Sequence, residues 1–217
     1  MVPFLFADSH TVQFGLILCM ILSHILLACS WSLYCVLHSL FAALWFKQIA
    51  RRWMRRQYKF YRLYYTIFAF VGLVAIMVQL ITMPSYQLFG VTITTIIIGS
   101  IIAVFGLIIM CICIFKYFMQ LSGIKGLIEN RTSNELMITG IHKMVRHPLY
   151  SGTFIFIWGL LILFPYMSLF IANIIVTVYT LIGLHFEEQK LAKEFGEAYK
   201  AYKQKVPMLI PRLVTRF

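Results

Sequence analysis

The sequence predicts an all-α, polytopic integral membrane protein with about five transmembrane helices and a C-terminal cytoplasmic amphipathic helix. Of its 217 residues, 61% are hydrophobic and only 12% are charged, whereas soluble domains carry about 25% charged residues. Several apolar runs reach the roughly 20 residues that a membrane-spanning helix needs. Every lysine and arginine lies in one of three segments that follow alternate runs. We therefore expect a single membrane domain over residues 1–217, with the N-terminal spans in 1–118 and a functional core in 119–217.

The first apolar run, residues 12–46, is too long for one upright helix and short for two helices and a turn. We expect one long or kinked helix, because residues 1–11 carry Asp8 and no lysine or arginine and therefore fit the outer face of the membrane. A hairpin of two spans is the alternative. Four further spans are expected at residues 63–82, 91–118, 149–164 and 167–184. A tight turn at Pro165 joins the last two.

The basic residues predict the topology. They cluster in residues 47–62, 116–146 and 190–216, and the positive-inside rule puts all three clusters in the cytoplasm. The first cluster also interleaves aromatic residues such as Trp53 and Tyr58, a pattern found in proteins that bind single-stranded nucleic acid. Beside a membrane span it is better interpreted as a topology signal and a contact with anionic lipid. We expect a lipid bilayer and no nucleic acid among the partners.

Other polar and sulfur-containing residues have plain structural interpretations. The five cysteines lie in apolar runs without the Cys/His spacing typical of zinc, so we expect no metal and interpret them as buried small hydrophobes. His24 and His38 lie inside the first run, where polar groups are costly. Each is either a packing histidine or part of a pocket wall. The polar segment 122–140 is either a connecting loop or a cover for a ligand.

Two polar segments bracket the last apolar hairpin. Arg146 and His147 precede Pro148, which suits the first turn of a helix, so they lie where free N–H groups and a partial positive charge favour an anion. Glu187 and Glu188 follow the second helix of the hairpin, and the tight turn returns them towards Arg146. We interpret the two brackets together as an active site. Taken separately, Arg146 is also explained as a topogenic charge, and the two glutamates as helix-end charges.

Neighbouring residues extend both brackets. Tyr150 supplies a ring for stacking and a hydroxyl, and Gly152 permits close approach to the backbone. After the glutamates, apolar and aromatic residues recur at helical spacing, which predicts an amphipathic helix that closes over the site. These residues are Leu191, Phe195, Tyr199 and Tyr202.

These motifs together resemble the isoprenylcysteine carboxyl methyltransferase superfamily of integral-membrane methyltransferases. The resemblance rests on the motif from Thr139 to Gly152, the apolar hairpin, the Glu187-Glu188 pair, and the ending Val206-Pro207-Met-Leu-Ile-Pro211. It is strong over about the last 80 residues and weak over the first 70. The ending, with Leu37-His38-Ser39-Leu40, is most similar to the bacterial methanethiol S-methyltransferase-like members.

The resemblance implies an intramembrane S-adenosylmethionine-dependent methyltransferase acting on a small thiol or lipid-like acceptor, with residues 119–217 as its cofactor-binding methyltransferase core. It implies catalytic, positioning roles for Arg146 and Glu187. The residues that it implies around S-adenosyl-L-methionine are His142, Val145, His147, Tyr150, Gly152 and Glu188. One departure is Lys205, where the prenylcysteine enzymes often have arginine. Because lysine lacks a bidentate fork for carboxylates, this departure argues against a prenylcysteine carboxylate as acceptor.

Two other functions are compatible with the pattern. One is an NADPH-dependent membrane reductase of the sterol-reductase type, and the other is a non-catalytic membrane protein on the same scaffold. The sequence leaves the methyl acceptor and the oligomeric state open. The bacterial inner membrane, with the active site facing the cytoplasm, is the expected location.

Overall fold

The structure, a computed structural model, describes residues 9–121 and 136–212, and the side chains of 13–115 and 136–212. These residues form α1 Ser9–Ala42, α2 Leu44–Met54, α3 Tyr61–Thr82, α4 Ile93–Leu121, α5 Pro148–Leu163 and α6 Met167–Lys205. Short 3₁₀ helices span Arg55–Phe60 and Gly140–Lys143. No β-strand occurs within the described ranges, so the all-α prediction is confirmed. Most of the segment interpreted as a cover, residues 122–135, lies outside them, as do residues 1–8.

The apolar helices confirm a polytopic membrane protein. Segments containing α1, α3, α4 and α6 are long and apolar enough to cross a bilayer, and the apolar helix α5 is shorter, with 16 residues. Helix α1 runs unbroken for 34 residues, so the alternative of a hairpin in residues 12–46 is wrong. An extended residue, Ala43, then separates α1 from α2.

The last helix combines two predicted elements. Helix α6 contains the fifth apolar span and continues through the expected amphipathic segment to Lys205, with one interruption at Gly196. Gly196 has φ 53° and ψ −125°, a conformation that glycine adopts far more readily than residues with a Cβ. The chain can therefore change direction here, before its last short helical stretch.

The chain divides into two compact units. The first, which we call the N-terminal unit, comprises Met1–Leu88 with Tyr166–Val176, and the second, the C-terminal unit, comprises Phe89–Pro165 with Thr177–Phe217. The prediction of one membrane domain stays a prediction.

Hydrogen bonds tie the helices of the N-terminal unit together. The Tyr34 hydroxyl donates to Ala69 O (3.0 Å), and the Tyr65 hydroxyl lies 2.8 Å from His38 Nε2. His24 Nδ1 lies 2.6 Å from Met20 O, while its Nε2 lies 3.1 Å from Ser85 Oγ. These contacts support the interpretation of both histidines as packing residues.

The five cysteines differ in exposure. Cys35 and Cys113 are buried, as predicted, and Cys111 is half-buried. Cys19 and Cys29 are exposed on α1, so the prediction of burial is wrong for them. The reason is that an apolar residue of a membrane helix is equally at home facing lipid, because lipid tails are as apolar as a protein core.

A close helix crossing sets the position of α5 in the C-terminal unit. A Cβ built at Gly159 of α5 would lie 2.6 Å from the Ala103 backbone nitrogen of α4, and one at Gly152 would lie 2.9 Å from Ile109 Cγ2. Small residues allow membrane helices to approach this closely. The crossing fixes α5 against α4, and with it the N-terminus of α5, where the polar residues lie.

Candidate active site

The N-terminus of α5 is held by the C-terminal strap, by which we mean residues 206–210. Arg146 N donates to Pro207 O (2.9 Å), and His147 N donates to Met208 O (3.1 Å). Ser151 Oγ donates to Leu209 O (2.7 Å). Two backbone donors just before the helix are thus bonded to the strap, and Pro148 at the first position of α5 has no N–H. Those two donors are not available to an anionic ligand.

Arg146 and Glu188 form a buried, bidentate ion pair. The guanidinium donates through Nε to Glu188 Oε1 (2.9 Å) and through Nη2 to Oε2 (3.0 Å). Its Nη1 donates to Val206 O (2.6 Å) in the strap and to Lys203 O (3.3 Å). Only 8% of Arg146 and 7% of Glu188 is exposed. Parallel N–H···O bonds of this kind are strong and directional, so the pair joins the two brackets as the hairpin prediction required.

Further donors surround the same carboxylate. Glu188 Oε1 also accepts from the Tyr199 hydroxyl (2.6 Å) and lies 2.7 Å from His147 Nε2, while Lys203 Nζ lies 3.4 Å from Oε2. Tyr199 is only 1% exposed. We call Arg146, His147, Glu188 and Tyr199 the lock. Glu188 Oε1 thus has three donors, from Arg146, His147 and Tyr199, and Oε2 has two cationic partners, Arg146 and Lys203. The hydrogen-bonding capacity of Glu188 is therefore filled without any ligand.

The lock keeps Glu188 ionised. Glu188 lies beyond Leu184, where the apolar part of α6 ends. Burial raises the pKa of Glu188, but hydrogen bonds from Arg146, Tyr199 and His147 lower the pKa by more, to about 2 from an ordinary 4.5. Burial and the hydrogen bond to Glu188 raise the pKa of Tyr199. Glu188 is therefore an anion, and Tyr199 a neutral donor, at physiological pH.

A second carboxylate lies beside the lock with fewer partners. The Tyr150 hydroxyl donates to Glu187 Oε2 (3.0 Å), and both residues are half-buried. The rings of Tyr150 and His147 are stacked, with centroids 5.9 Å apart and planes at 30°. No other hydrogen bond to Glu187 occurs among residues 136–212. Glu187 therefore retains acceptor capacity for a ligand, whereas Glu188 does not.

The other predicted residues lie in the same unit in supporting positions. His142 Nδ1 lies 3.1 Å from Arg146 O, and the Tyr202 hydroxyl donates to His142 O (2.6 Å). Val145 is buried directly before the lock. Gly152 faces α4 at the helix crossing, which gives it a packing role. A cofactor contact for each of these residues stays a prediction.

Sequence reasoning placed Tyr199 and Tyr202 on a helix that closes over the site and included residues 206–211 in the motif, but it assigned no individual contact to any of them. Tyr199 follows Glu188 by 11 residues, about three helical turns, so the spacing carried a signal that the two share a face. The contacts of the strap gave no such signal in the sequence. They are made by backbone carbonyls, which every residue type has, so side-chain identity does not predict their partners.

The comparisons with known proteins found one matching family. The phospholipid methyltransferase family profile matches residues 94–198, which include α5 and the lock residues Arg146, His147 and Glu188, while Tyr199 lies one residue beyond the match. No solved structure matches the chain.

Curated relatives of the chain are also named as methyltransferases. The chain is 43% identical to methanethiol S-methyltransferase 2 of Bradyrhizobium diazoefficiens over 77 residues, which cover 35% of this chain and 29% of that enzyme. It is 30% identical to the methanethiol S-methyltransferase of Pseudomonas deceptionensis, covering 50% of this chain and 42% of that enzyme. It is 34% identical to the protein-S-isoprenylcysteine O-methyltransferase of Schizosaccharomyces pombe, over a region that covers 38% of this chain and 36% of that enzyme.

These matches confirm the resemblance inferred from the motifs, to the superfamily and to its methanethiol members. The match spans only 24–29% of the first three curated relatives.

Proposed function

We propose that this membrane protein is an S-adenosylmethionine-dependent methyltransferase that acts on a small thiol or lipid-like acceptor. The observation that carries the proposal is that the family match, residues 94–198, contains the Arg146–Glu188 ion pair. Curated relatives of the chain are named for methyl transfer to methanethiol and to isoprenylcysteine.

The residues beside the lock suit such a cofactor by their chemistry. S-adenosylmethionine carries an ammonium group and ribose hydroxyls that donate hydrogen bonds, and an adenine ring that stacks. Glu187 offers acceptor oxygens, and the stacked rings of Tyr150 and His147 offer a π-face. When bound, the cofactor supplies a sulfonium methyl group. We assign Glu187, Tyr150 and His147 to its binding.

The lock then has a positioning role. Arg146 is bonded to Glu188 and to two backbone carbonyls, so it orients the α5 N-terminus and the strap around the site. Methyl transfer is an in-line displacement, in which alignment and exclusion of water make large contributions. The predicted cofactor contacts of His142, Val145 and Gly152 are kept as part of this proposal, while Arg146 and Glu188 are assigned to positioning the site in place of direct contacts with the cofactor.

A thiol acceptor fits the chain better than a carboxylate. A thiolate attacks a methyl carbon directly, so transfer to sulfur needs no base once the thiol has lost its proton. Lys205 is exposed and presents a point charge in place of a bidentate fork. The acceptor sulfur would gain the methyl group from the sulfonium, S-adenosylhomocysteine would leave, and the thiol proton would pass to solvent.

We further propose a bacterial inner-membrane location with the site facing the cytoplasm. The three clusters of basic residues support this orientation, and most of the curated relatives cited are bacterial. Labelling of single added cysteines in residues 47–62 and 83–90 of protein in intact cells tests it. Membrane-impermeant maleimide should label only the second position, and the reverse pattern would contradict the proposed orientation.

The activity is tested by incubating the purified protein with methyl-labelled S-adenosylmethionine and separate acceptors: methanethiol, a lipid amine and a prenylcysteine. We expect label in the methanethiol product, strongly reduced in Glu187→Gln. Glu197→Gln is the matched control, because Glu197 is exposed and its one ion pair among residues 136–212 is with Lys200 on the same helix. If the folded parent transfers label to none of the acceptors and binds no S-adenosylhomocysteine, the proposal fails.

A further inference from the structure

Helix α2 is built differently from the apolar helices around it. Of its exposed apolar side chains, three recur every four residues and therefore form one stripe along the helix. These are Trp45, Ile49 and Trp53, the last of them 86% exposed. The neighbouring stripe is turned towards the protein, since Ala50 is buried and Phe46 and Met54 are half-buried.

The remaining side of α2 is cationic. Lys47, Arg51 and Arg52 lie there, and Arg55, Arg56 and Lys59 follow in the 3₁₀ helix. At about 100° per residue, Arg52 borders the exposed apolar stripe, while Lys47 and Arg51 lie between Arg52 and the inward stripe. The helix thus has an inward side, an exposed apolar side and an exposed charged side, which is the pattern of a helix lying in the plane of a membrane interface.

No carboxylate in the described part of the N-terminal unit balances these charges, because residues 9–88 and 166–176 contain no aspartate or glutamate. The contacts found for these cations are with aromatic rings: Arg51 Cζ lies 5.8 Å from the Tyr58 ring centroid, and Lys59 Nζ lies 4.8 Å from that of Phe60. Arg52, Arg55 and Arg56 are exposed. Counter-charge for this cluster therefore comes from outside the described part of this unit.

We propose that residues 44–60 lie in the headgroup layer and bind anionic phospholipid. Apolar helices precede and follow this segment, α1 ending at Ala42 and α3 beginning at Tyr61, so its backbone enters and leaves at a membrane surface. The Trp45–Ile49–Trp53 stripe faces the acyl boundary, and the arginines face lipid phosphates. A nucleic acid would supply counter-charge for the cations, but it would not bury the exposed apolar stripe. The proposal is independent of the methyltransferase function.

Brominated lipids test it directly, because bromine on the acyl chains quenches nearby tryptophans. The full chain carrying Trp31→Phe and Trp158→Phe, so that Trp45 and Trp53 are its fluorophores, is reconstituted in phosphatidylcholine vesicles. One sample contains a fixed fraction of brominated phosphatidylglycerol and the other contains the same fraction of brominated phosphatidylcholine. The quenching of tryptophan fluorescence is compared between the two samples. We expect several-fold stronger quenching by phosphatidylglycerol. Equal quenching by the two lipids would overturn the proposal.

Two charge-matched variants identify the residues responsible. Arg51→Gln/Arg52→Gln/Arg55→Gln removes three positive charges from the segment, and Lys190→Gln/Lys193→Gln/Lys205→Gln removes three from α6. Native mass spectrometry of parent and variants, without the tryptophan changes, measures the affinity for phosphatidylglycerol relative to phosphatidylcholine. This ratio should fall about fivefold per arginine removed and stay unchanged in the lysine variant. A similar fall of this ratio in both variants, or in neither, would contradict the proposal. Single-stranded RNA that binds the protein in the absence of phosphatidylglycerol, and that displaces bound phosphatidylglycerol, would also contradict it.

Discussion

Adjacent glutamates in one helix have different environments in this protein. Glu188 accepts hydrogen bonds from Arg146, Tyr199 and His147 and is buried, while Glu187 accepts one from Tyr150 and is half-buried. Because neighbouring residues on a helix point about 100° apart, one carboxylate faces the lock and the other faces away from it. We infer a structural role for Glu188 and a ligand-binding role for Glu187.

Substitution separates these two roles. Glu188→Gln leaves the buried Arg146 without its counter-charge and should lower the free energy of unfolding by about 3–5 kcal/mol. Glu187→Gln keeps an acceptor for Tyr150 and should change stability by less than about 0.5 kcal/mol, while weakening ligand binding. Melting of both variants in one detergent measures the difference. Equal loss of stability in the two variants would contradict the assignment.

The lock also predicts a pH dependence. The folded pKa of Glu188, about 2, is lower than its ordinary 4.5, so its ionised form stabilises the fold above about pH 4.5, and this contribution is lost as pH falls from there towards 2. The melting-temperature difference between the parent and Glu188→Gln should therefore be constant from pH 7 to about pH 5 and should narrow below about pH 4.5. If the melting-temperature difference already narrows near pH 6, the pH dependence belongs to a titratable group other than Glu188.

At the scale of elements, close packing of α4 and α5 sets the position of the site. Gly159→Ala places a methyl group 2.6 Å from the Ala103 nitrogen and should cost about 1–3 kcal/mol. Gly183→Ala is the matched control, because no atom lies within 4 Å of its added Cβ. Melting temperatures should fall for the first variant and stay level or rise for the second, since alanine favours helix over glycine. A tolerated Gly159→Ala would show that the helices are less tightly packed than described.

The C-terminal strap is the second element that holds the site. A chain shortened after Lys205 loses the acceptors of Arg146 N, His147 N, Arg146 Nη1 and Ser151 Oγ, each worth about 1–3 kcal/mol if left buried and unpaired. We expect it to melt at a lower temperature and to lose binding of S-adenosylhomocysteine. A chain shortened after Arg212 keeps the strap and should behave as the parent. Unchanged binding by the shorter chain would rule out a role for the strap.

For the whole molecule, composition and apolar runs were sufficient to predict the apolar helices, and the Pro165 turn to predict that the glutamate pair returns towards Arg146. Run length did not decide between one helix and a hairpin in residues 12–46, because 35 residues fit neither alternative well. The full bonding of Glu188 was only partly predictable. Tyr199 follows Glu188 at helical spacing, but the break at Gly196 lies between them. Arg146 is also held by a strap carbonyl 60 residues away in sequence.

The family match covers residues 94–198, so the first 93 residues and the last 19 lie outside it. The first 93 contain α1, α2 and α3, with the packing histidines and the proposed lipid-binding segment. We infer that the chemistry belongs to the C-terminal unit.

The central claim is that Glu187, beside a lock that is complete without ligand, binds the methyl donor. Calorimetric titration of the detergent-purified protein with S-adenosylhomocysteine tests it most directly, with Glu187→Gln and Glu197→Gln measured alongside. We predict binding by the parent and by Glu197→Gln, and an affinity about tenfold to a hundredfold lower for Glu187→Gln. Binding that survives in Glu187→Gln would contradict the role of this residue, and a folded parent that binds NADPH but no S-adenosylhomocysteine would contradict the proposed function.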